Sequence, residues 1–334
     1  MSYQVTIQPS GHKFTVEAGQ TVLSAALDAG FALPYGCRNG ACGACKGKLL
    51  AGEVDYGDYQ PGTLTDEERH RGLALFCSAK PKSDLVIEVK EVGAAKDIPV
   101  KTLPCRIERM ERLSHDVMQL FLKLPANERL QFLPGQYIDF LLKDGKRRSF
   151  SLANAPEEDA LLELHVRHVP GGAFTEHVFN TMKVKDIMRI NGPLGSFFLR
   201  ESDKPALFLA TGTGFAPIKS ILSHAFHHQS DRQFVLYWGA RKLEDMYLAA
   251  LPGQWQEQHR NFSFIPVLSQ PDAGWPGRTG HVQDAVLADF SDLSGYQVYA
   301  CGAPSMVEAA HKALTARGLP EDEFFSDAFN FQGN

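Results

Sequence analysis

At 334 residues, with 44% hydrophobic and 22% charged side chains and a formal net charge of −5, the chain reads as a soluble globular protein of roughly two or three domains. No basic excess points to nucleic acid or to an anionic membrane surface, so neither is expected as a partner. The opening Met1-Ser-Tyr-Gln-Val-Thr-Ile is strand-like rather than basic and then apolar, and no run of about 18 apolar residues occurs, which points to a cytoplasmic location.

Residues 4–8 and 13–17 alternate apolar and polar around Pro9-Ser10-Gly11, which predicts a hairpin. Thr21 is a candidate N-cap for a short helix closed by Gly30. A second helix start stands at Thr65-Asp66-Glu67-Glu68, and Leu85–Val89 reads as a strand. The sum is a compact unit of sheet and helix. Between Glu53 and Glu68 there are six acids and no Lys or Arg. That stretch serves as a solvated face and would also steer a basic partner.

Inside this unit lies Cys37-Arg-Asn-Gly-Ala-Cys42-Gly-Ala-Cys45, and a fourth cysteine follows at Cys77. C-x4-C-x2-C with a distant cysteine is the plant-type [2Fe–2S] spacing, in which four thiolates hold two irons and two sulfides. Gly36, Gly40 and Gly43 suit a loop that turns tightly and aims N–H groups at sulfur. A zinc site would ordinarily show two short pairs, and only one C-x2-C is present. Six cysteines are sparse for a disulfide framework, and Cys105 and Cys301 remain as thiols that a reducing compartment tolerates.

From Val92 to Leu103 the periodicity lapses, which predicts a linker. Strand-like runs resume at 105–110, 117–123, 136–142, 147–152 and 161–169, the spacing of an antiparallel barrel. After about residue 200, short buried runs at 206–210, 234–237, 264–268 and 297–300 alternate with helical stretches, the signature of a parallel α/β sheet.

Arg147-Arg-Ser-Phe-Ser151 combines cations, an aromatic face and hydroxyls, a set that suits a flavin and its diphosphate; alone it is also an ordinary strand with a charged start. Pro170-Gly-Gly-Ala-Phe-Thr175 leads into a helix and could receive a phosphate, or simply turn the chain. Gly192-Pro-Leu-Gly-Ser-Phe197 reads as a turn. Thr211-Gly-Thr-Gly-Phe-Ala-Pro217 follows the first strand of the α/β region and opens a helix, where a pyrophosphate binds, although it is not the G-x-G-x-x-G fingerprint. Cys301-Gly-Ala-Pro304 repeats that geometry, with a buried structural Cys301 as the alternative. His224 and His228 stand one helical turn apart and could grip a metal, but no carboxylate or cysteine occupies a matching position, so they read as solvent-facing.

Taken together, the cysteine set and the order RxFS, GGxFT, GPxG, TGTGFAP, CGAP make the chain, from about Gln4 to Phe331, resemble the fused iron–sulfur flavoprotein reductases. The resemblance implies several domains: an α+β β-grasp ferredoxin (1–92), a linker (93–103), an antiparallel β-barrel flavin domain (104–200) and an α/β parallel-sheet nucleotide domain (201–334). It implies Cys37, Cys42, Cys45 and Cys77 as cluster ligands, Arg148 on the FAD diphosphate, Phe150 flanking the flavin and Ser151 near its N5. The family more commonly has Tyr at Phe150, so packing alone survives there. His165, Val166 and Arg167 would continue the flavin site, with Gly172 and Thr175 on the pyrophosphate. Thr211, Gly212, Gly214 and Pro217 would cradle the pyridine nucleotide, Cys301 and Gly302 would approach the nicotinamide, and Phe329 would lie near the flavin.

Such a protein passes electrons from NAD(P)H through FAD and [2Fe–2S] to a partner protein, an oxygenase or sugar dehydratase component. Arg241 and Lys242 after the second α/β strand favour NADPH, while Glu244, Asp245 and the likeness favour NADH, the donor expected here. Two other readings stay open at this point: a reductase of a small acceptor such as free flavin, and a non-enzymatic iron–sulfur carrier or redox sensor.

Overall fold

The alternation at the start of the chain becomes a hairpin of β1 (Ser2–Gln8) and β2 (Lys13–Glu17), which turns Val5, Ile7, Phe14 and Val16 inward and leaves Gln4, Lys13, Thr15 and Glu17 exposed. The computed structural model describes residues 2–93 and 98–329. Ala94–Asp97 of the expected linker, and Phe331 where the likeness ends, lie outside the described residues. The chain falls into two compact units, one running to Pro99 and taking in Gly195–Phe197, the other formed by Val100–Leu194 and the chain from Phe198 on.

In the first unit, Thr21 caps α1 (Val22–Asp28) by accepting the Ser24 N–H at 3.2 Å, and Gly30 at φ +83° ends the turn. There follow β3 (Lys46–Ala51), β4 (Val54–Asp55), α2 (Asp66–His70), β5 (Leu73–Leu75), β6 (Lys80–Pro81) and β7 (Leu85–Glu88). Thr65 and Glu68 form a reciprocal capping box at the start of α2. The main sheet runs β2-β1-β7-β3-β5, with β1 and β7 parallel and the other pairs antiparallel; β4 and β6 form a separate small ladder.

The second unit opens with β8 (Lys101–Arg112), β9 (Val117–Lys123), β10 (Tyr137–Leu141), β11 (Arg147–Ser151), β12 (Leu162–Arg167), α3 (Ala173–Asn180) and β13 (Ile187–Leu194). All pairs are antiparallel in the order β11-β10-β13-β8-β9-β12, and a bridge from Leu152 to Leu164 joins the two ends, which closes a barrel. Leu103, Ile107, Leu120, Ile138, Phe140 and Leu164 fill its core. β8 begins at Lys101, so Pro104 lies inside a strand. It is tolerated because β9 pairs with β8 only from Arg106 onward, and the missing N–H interrupts no ladder on that side. Gly192-Pro193-Leu194 ends β13 instead of turning; the bareness of Gly192 lets β13 close on β10, since a Cβ there would stand 2.8 Å from Ile138 Cγ2.

Next come β14 (Ala206–Thr211), α4 (Phe215–His227), β15 (Phe234–Ala240), α5 (Ala250–Gln258), β16 (Phe262–Leu268), β17 (Arg278–Thr279), α6 (Val282–Asp289), β18 (Gln297–Gly302), α7 (Pro304–Thr315) and β19 (Phe324–Ala328). The sheet is parallel throughout in the order β17-β16-β15-β14-β18-β19. Its connection reverses between β14 and β18, the switch point where open α/β sheets bind ligands beyond their strand ends.

Candidate functional site

The four cysteines converge. Backbone N–H groups of the loop donate to the sulfurs: Cys37 to Cys42, Ala41 to Cys37 and Gly40 to Cys77, each at 3.3 Å. Arg38 is held at φ +61° and Gly40 at φ +74°, the left-handed backbone such a wrap demands. A Cβ on Gly40 would stand 2.7 Å from Tyr59 Cβ and 2.8 Å from Asp58 O, so only glycine fits. The sulfurs are matched two and two. Cys37 is lowered to about 6 by the Cys42 thiol bonded to it, and Cys77 to about 7 by Cys45, while the two donor thiols are pushed up. Among the described residues, no three of these sulfurs lie within 4.8 Å of one another. A single tetrahedral zinc would bring its sulfurs to about 3.8 Å. Two pairs fit the donor set for two irons better than that for one zinc.

On the barrel, β11 presents Arg148 half-buried and Ser151 buried. Phe150 is fixed by Phe140 and Phe174, with ring centroids 5.9 and 5.4 Å away. Phe174 belongs to α3, so the arginine-bearing strand packs beside the start of that helix, where Gly172 is the N-cap and no side chain caps the N–H groups. An uncapped helix start near a guanidinium fits a diphosphate. Thr175 is not the N-cap: it lies in the first turn, and its hydroxyl is engaged with the Val169 backbone at 3.1 Å. Val166 is buried in the barrel core, so its backbone alone is available to a ligand.

At the switch point, Gly212 (φ +52°) and Gly214 form a 3-10 turn into α4, with Pro217 in the first helical turn and again no side-chain cap. Thr211 Oγ1 accepts the Ala303 N–H at 3.1 Å, which ties this turn to the end of β18. A Cβ on Gly214 would lie 2.1 Å from Cys301 O, and one on Gly302 (φ +141°) 2.2 Å from Thr211 Oγ1, so the two strand ends meet through glycine. Gly214→Ala is expected to cost about 2 kcal/mol or more, whereas Gly253→Ala, which has open space in α5, leaves stability unharmed; melting curves separate the two.

A cavity of about 550 Å³ lies over these strand ends, lined by Thr211, Gly212, Gly239, Arg241, Ser269 and Gln283 among others. Arg167 lines it too, with Nε 2.8 Å from Asp116 Oδ2; burial works against ionisation of Asp116, yet Arg167 holds it below the usual carboxylate range. Arg167 therefore faces this cavity. Cys301 does not line it: the thiol is fully buried, and burial and then Asp327 push it well up. Phe329 follows β19, half-buried, and its N–H donates to Gly302 O at 2.8 Å. Arg241 Nε lies 3.6 Å from Asp245 Oδ2, and Lys242 Nζ 3.2 Å from Asp272 Oδ1.

His165 does not present its ring to a ligand. It is buried, Nε2 bonding Glu163 Oε1 at 2.8 Å and Nδ1 bonding Tyr247 Oη at 3.0 Å. Glu163 also accepts from Gln119 (2.7 Å) and from Lys219 Nζ (2.9 Å), which donates to Ala153 O at 3.0 Å as well. Glu163 and His165 stand on the barrel, Lys219 and Tyr247 on the α/β side, so the network fastens the two lobes of this unit. Sequence reasoning missed Asp116, Glu163, Lys219 and Tyr247, whose partners are far away along the chain. His224 and His228 are likewise not simply solvent-facing. Both bond Glu157, a carboxylate supplied from the barrel.

Four converging cysteines at plant-type spacing, combined with uncapped helix starts that fit a diphosphate, point to one class of protein, the iron–sulfur flavoprotein reductases. This chain belongs to that family. It matches a 2Fe-2S iron-sulfur cluster binding domain over residues 5–82, an oxidoreductase FAD-binding domain over 104–199 and an oxidoreductase NAD-binding domain over 208–312. It is 42% identical over 329 residues to the CDP-6-deoxy-L-threo-D-glycero-4-hexulose-3-dehydrase reductase of Yersinia pestis, covering 98% of this chain and 99% of that protein. To the phenol 2-monooxygenase reductase component DmpP of a Pseudomonas species it is 39% identical, covering 98% and 95%. Of solved structures it resembles the cytochrome P450 reductase GcoB of Amycolatopsis, at 34% identity and a TM-score of 0.78 over 98% of each chain. It is an oxidoreductase whose cofactors are a [2Fe–2S] cluster, FAD and a nicotinamide nucleotide. Among the described residues, no helix is long and apolar enough to cross a membrane.

Proposed function

We propose that this chain is the NADH-oxidising component of a multi-protein system and hands single electrons from its cluster to a dehydratase or oxygenase component in the cytoplasm. Functional units are assigned as 1–92, 104–200 and 201–334, with 93–103 as linker. The observation that carries the reading is the convergence of loop N–H donors on the Cys37, Cys42 and Cys77 sulfurs in a chain that also holds two uncapped helix starts. FAD held on the barrel would supply the two-electron to one-electron exchange between a nicotinamide and single-electron carriers, and a [2Fe–2S] cluster held by the four cysteines would supply the one-electron exit.

The chain's own residues hold and orient. Arg148 and the α3 start at Gly172 neutralise the FAD diphosphate, with Thr175 fixing the turn beneath it. Phe150 would flank the flavin ring system, and Ser151 would offer its hydroxyl near the flavin edge. Thr211, Gly212, Gly214 and Pro217 seat the NADH pyrophosphate, Gly302 and Phe329 border the nicotinamide, and buried Cys301 shapes that floor from below. His165 and Val166 support the flavin wall from inside the barrel, while Arg167 serves the NADH phosphates. Cys37 and Cys42 are half-exposed and Cys45 and Cys77 buried, so the partner meets the cluster on the Cys37 side. Exposed Glu53, Asp55, Asp58, Asp66 and Glu67 steer a basic partner to it.

Arg241 and Lys242 each face a carboxylate, which opposes a 2′-phosphate. Anaerobic titration is therefore expected to reduce the flavin at NADH concentrations at least about tenfold below those of NADPH. Reoxidation of the reduced protein by candidate dehydratase and oxygenase components then identifies the acceptor. Reoxidation by free flavin alone, with every protein acceptor inert, would refute the partner reading.

A further inference from the structure

We propose a transition-metal site at Glu157, His224 and His228, binding a borderline divalent cation of the zinc class and pinning the barrel to the nucleotide lobe. Glu157 lies in a 3-10 turn (Pro156–Glu158) of the barrel, while His224 is in α4 and His228 is its C-cap. His224 Nδ1 lies 2.7 Å and His228 Nε2 2.9 Å from the same Glu157 Oε1. All three donor atoms lie within 4.8 Å of one another, and the two rings stand 4.4 Å apart.

Four features turn this contact into a site. One helical turn separates the imidazoles, so both nitrogens converge on one point without backbone change. Two neutral nitrogens and one carboxylate oxygen match the three-ligand set of an open zinc site, with solvent free to take the fourth position; calcium and magnesium demand mostly oxygen. The site sits at the C-terminus of α4, where the helix dipole favours positive charge. Tetrahedral zinc spaces its ligands at about 3.3 Å, so each histidine nitrogen needs to withdraw from Glu157 Oε1 by only about half an ångström. All three side chains are partly exposed, which gives the ion a way in.

Zinc chloride titrated calorimetrically into the cluster- and flavin-loaded protein is expected to show one equivalent bound with Kd on the order of a micromolar. Visible absorbance reports that the cluster stays intact during the titration. Each of H224Q, H228Q and E157Q is expected to weaken that equivalent at least about tenfold, and zinc is expected to raise Tm in the wild type only. These side chains lie at the surface, so the variants fold. Uptake as tight in H224Q/H228Q as in the wild type, or no uptake by the wild type in the micromolar range, would overturn the site.

Discussion

Serine in place of Cys42 is expected to abolish reduction of one-electron protein acceptors, by at least about 100-fold, while NADH still bleaches the flavin at close to the wild-type rate. The Cys42 sulfur accepts the Cys37 N–H at 3.3 Å and pairs with the Cys37 thiol, so its loss leaves one half of the donor set with a single sulfur. An alkoxide-type oxygen is a harder and poorer ligand for iron than thiolate. The loop keeps its other fastenings, among them the Phe76 N–H to Cys45 O bond at 3.1 Å and the closely fitted Gly40. The flavin and nucleotide residues belong to the other compact unit and do not depend on this sulfur. Cytochrome c reduction and anaerobic flavin bleaching, measured side by side, decide the matter. Loss of both from a correctly folded variant would mean that the cluster is not the exit.

The second large effect is structural. Lys219→Met removes the cation opposite Glu163 while leaving that carboxylate buried, and it is expected to cost about 3 kcal/mol or more. The depressed pKa of Glu163 points to a similar size. Burial opposes ionisation of Glu163, but His165 and Lys219 together hold its pKa down at about 2 from an ordinary 4.5. At ~1.4 kcal/mol per unit, this amounts to about 3 kcal/mol of stability. The sign follows: a depressed carboxylate pKa gives stability that is fully present above pH 4.5 and is lost as pH falls toward 2. The wild type is therefore expected to lose urea resistance across that window, and Lys219→Met to show a flatter acid limb from a lower plateau. Glu163→Gln combined with Lys219→Met should recover part of the loss, because no unpaired charge stays buried. Additive losses in the double variant would show that the pair is not coupled.

The cysteine loop was legible because most of it is local: three of the four cysteines and the glycines between them fall within Cys37–Cys45, and only Cys77 stands apart. TGTGFAP was legible for a similar reason, since a buried strand, a turn and a helix stand in immediate succession. β13 escaped because Gly192 and Pro193 look like a turn, although their bareness serves close packing against Ile138. The lobe junction could not be read, because Glu163 and Lys219 lie 56 positions apart and Glu157 and His224 lie 67 apart. Thr175 and His165 show a related limit. Their positions fall where the family pattern puts them, yet their polar atoms are turned inward toward Val169 and Glu163.

The parallel pairing of β1 with β7 carries a consequence for how the protein is made. Val5 lies beside Leu85 and Ile7 beside Ile87, so the first strand synthesised waits for the last strand of its unit. A nascent chain on the ribosome exposes Cys37, Cys42 and Cys45 before Cys77 exists, and at about 5–20 residues per second that interval lasts seconds. Iron delivered during it meets an incomplete, unclosed set of thiols. Four thiols are therefore available to a cluster only once Cys77 has been made, and the sheet of this unit closes only when β7 reaches β1.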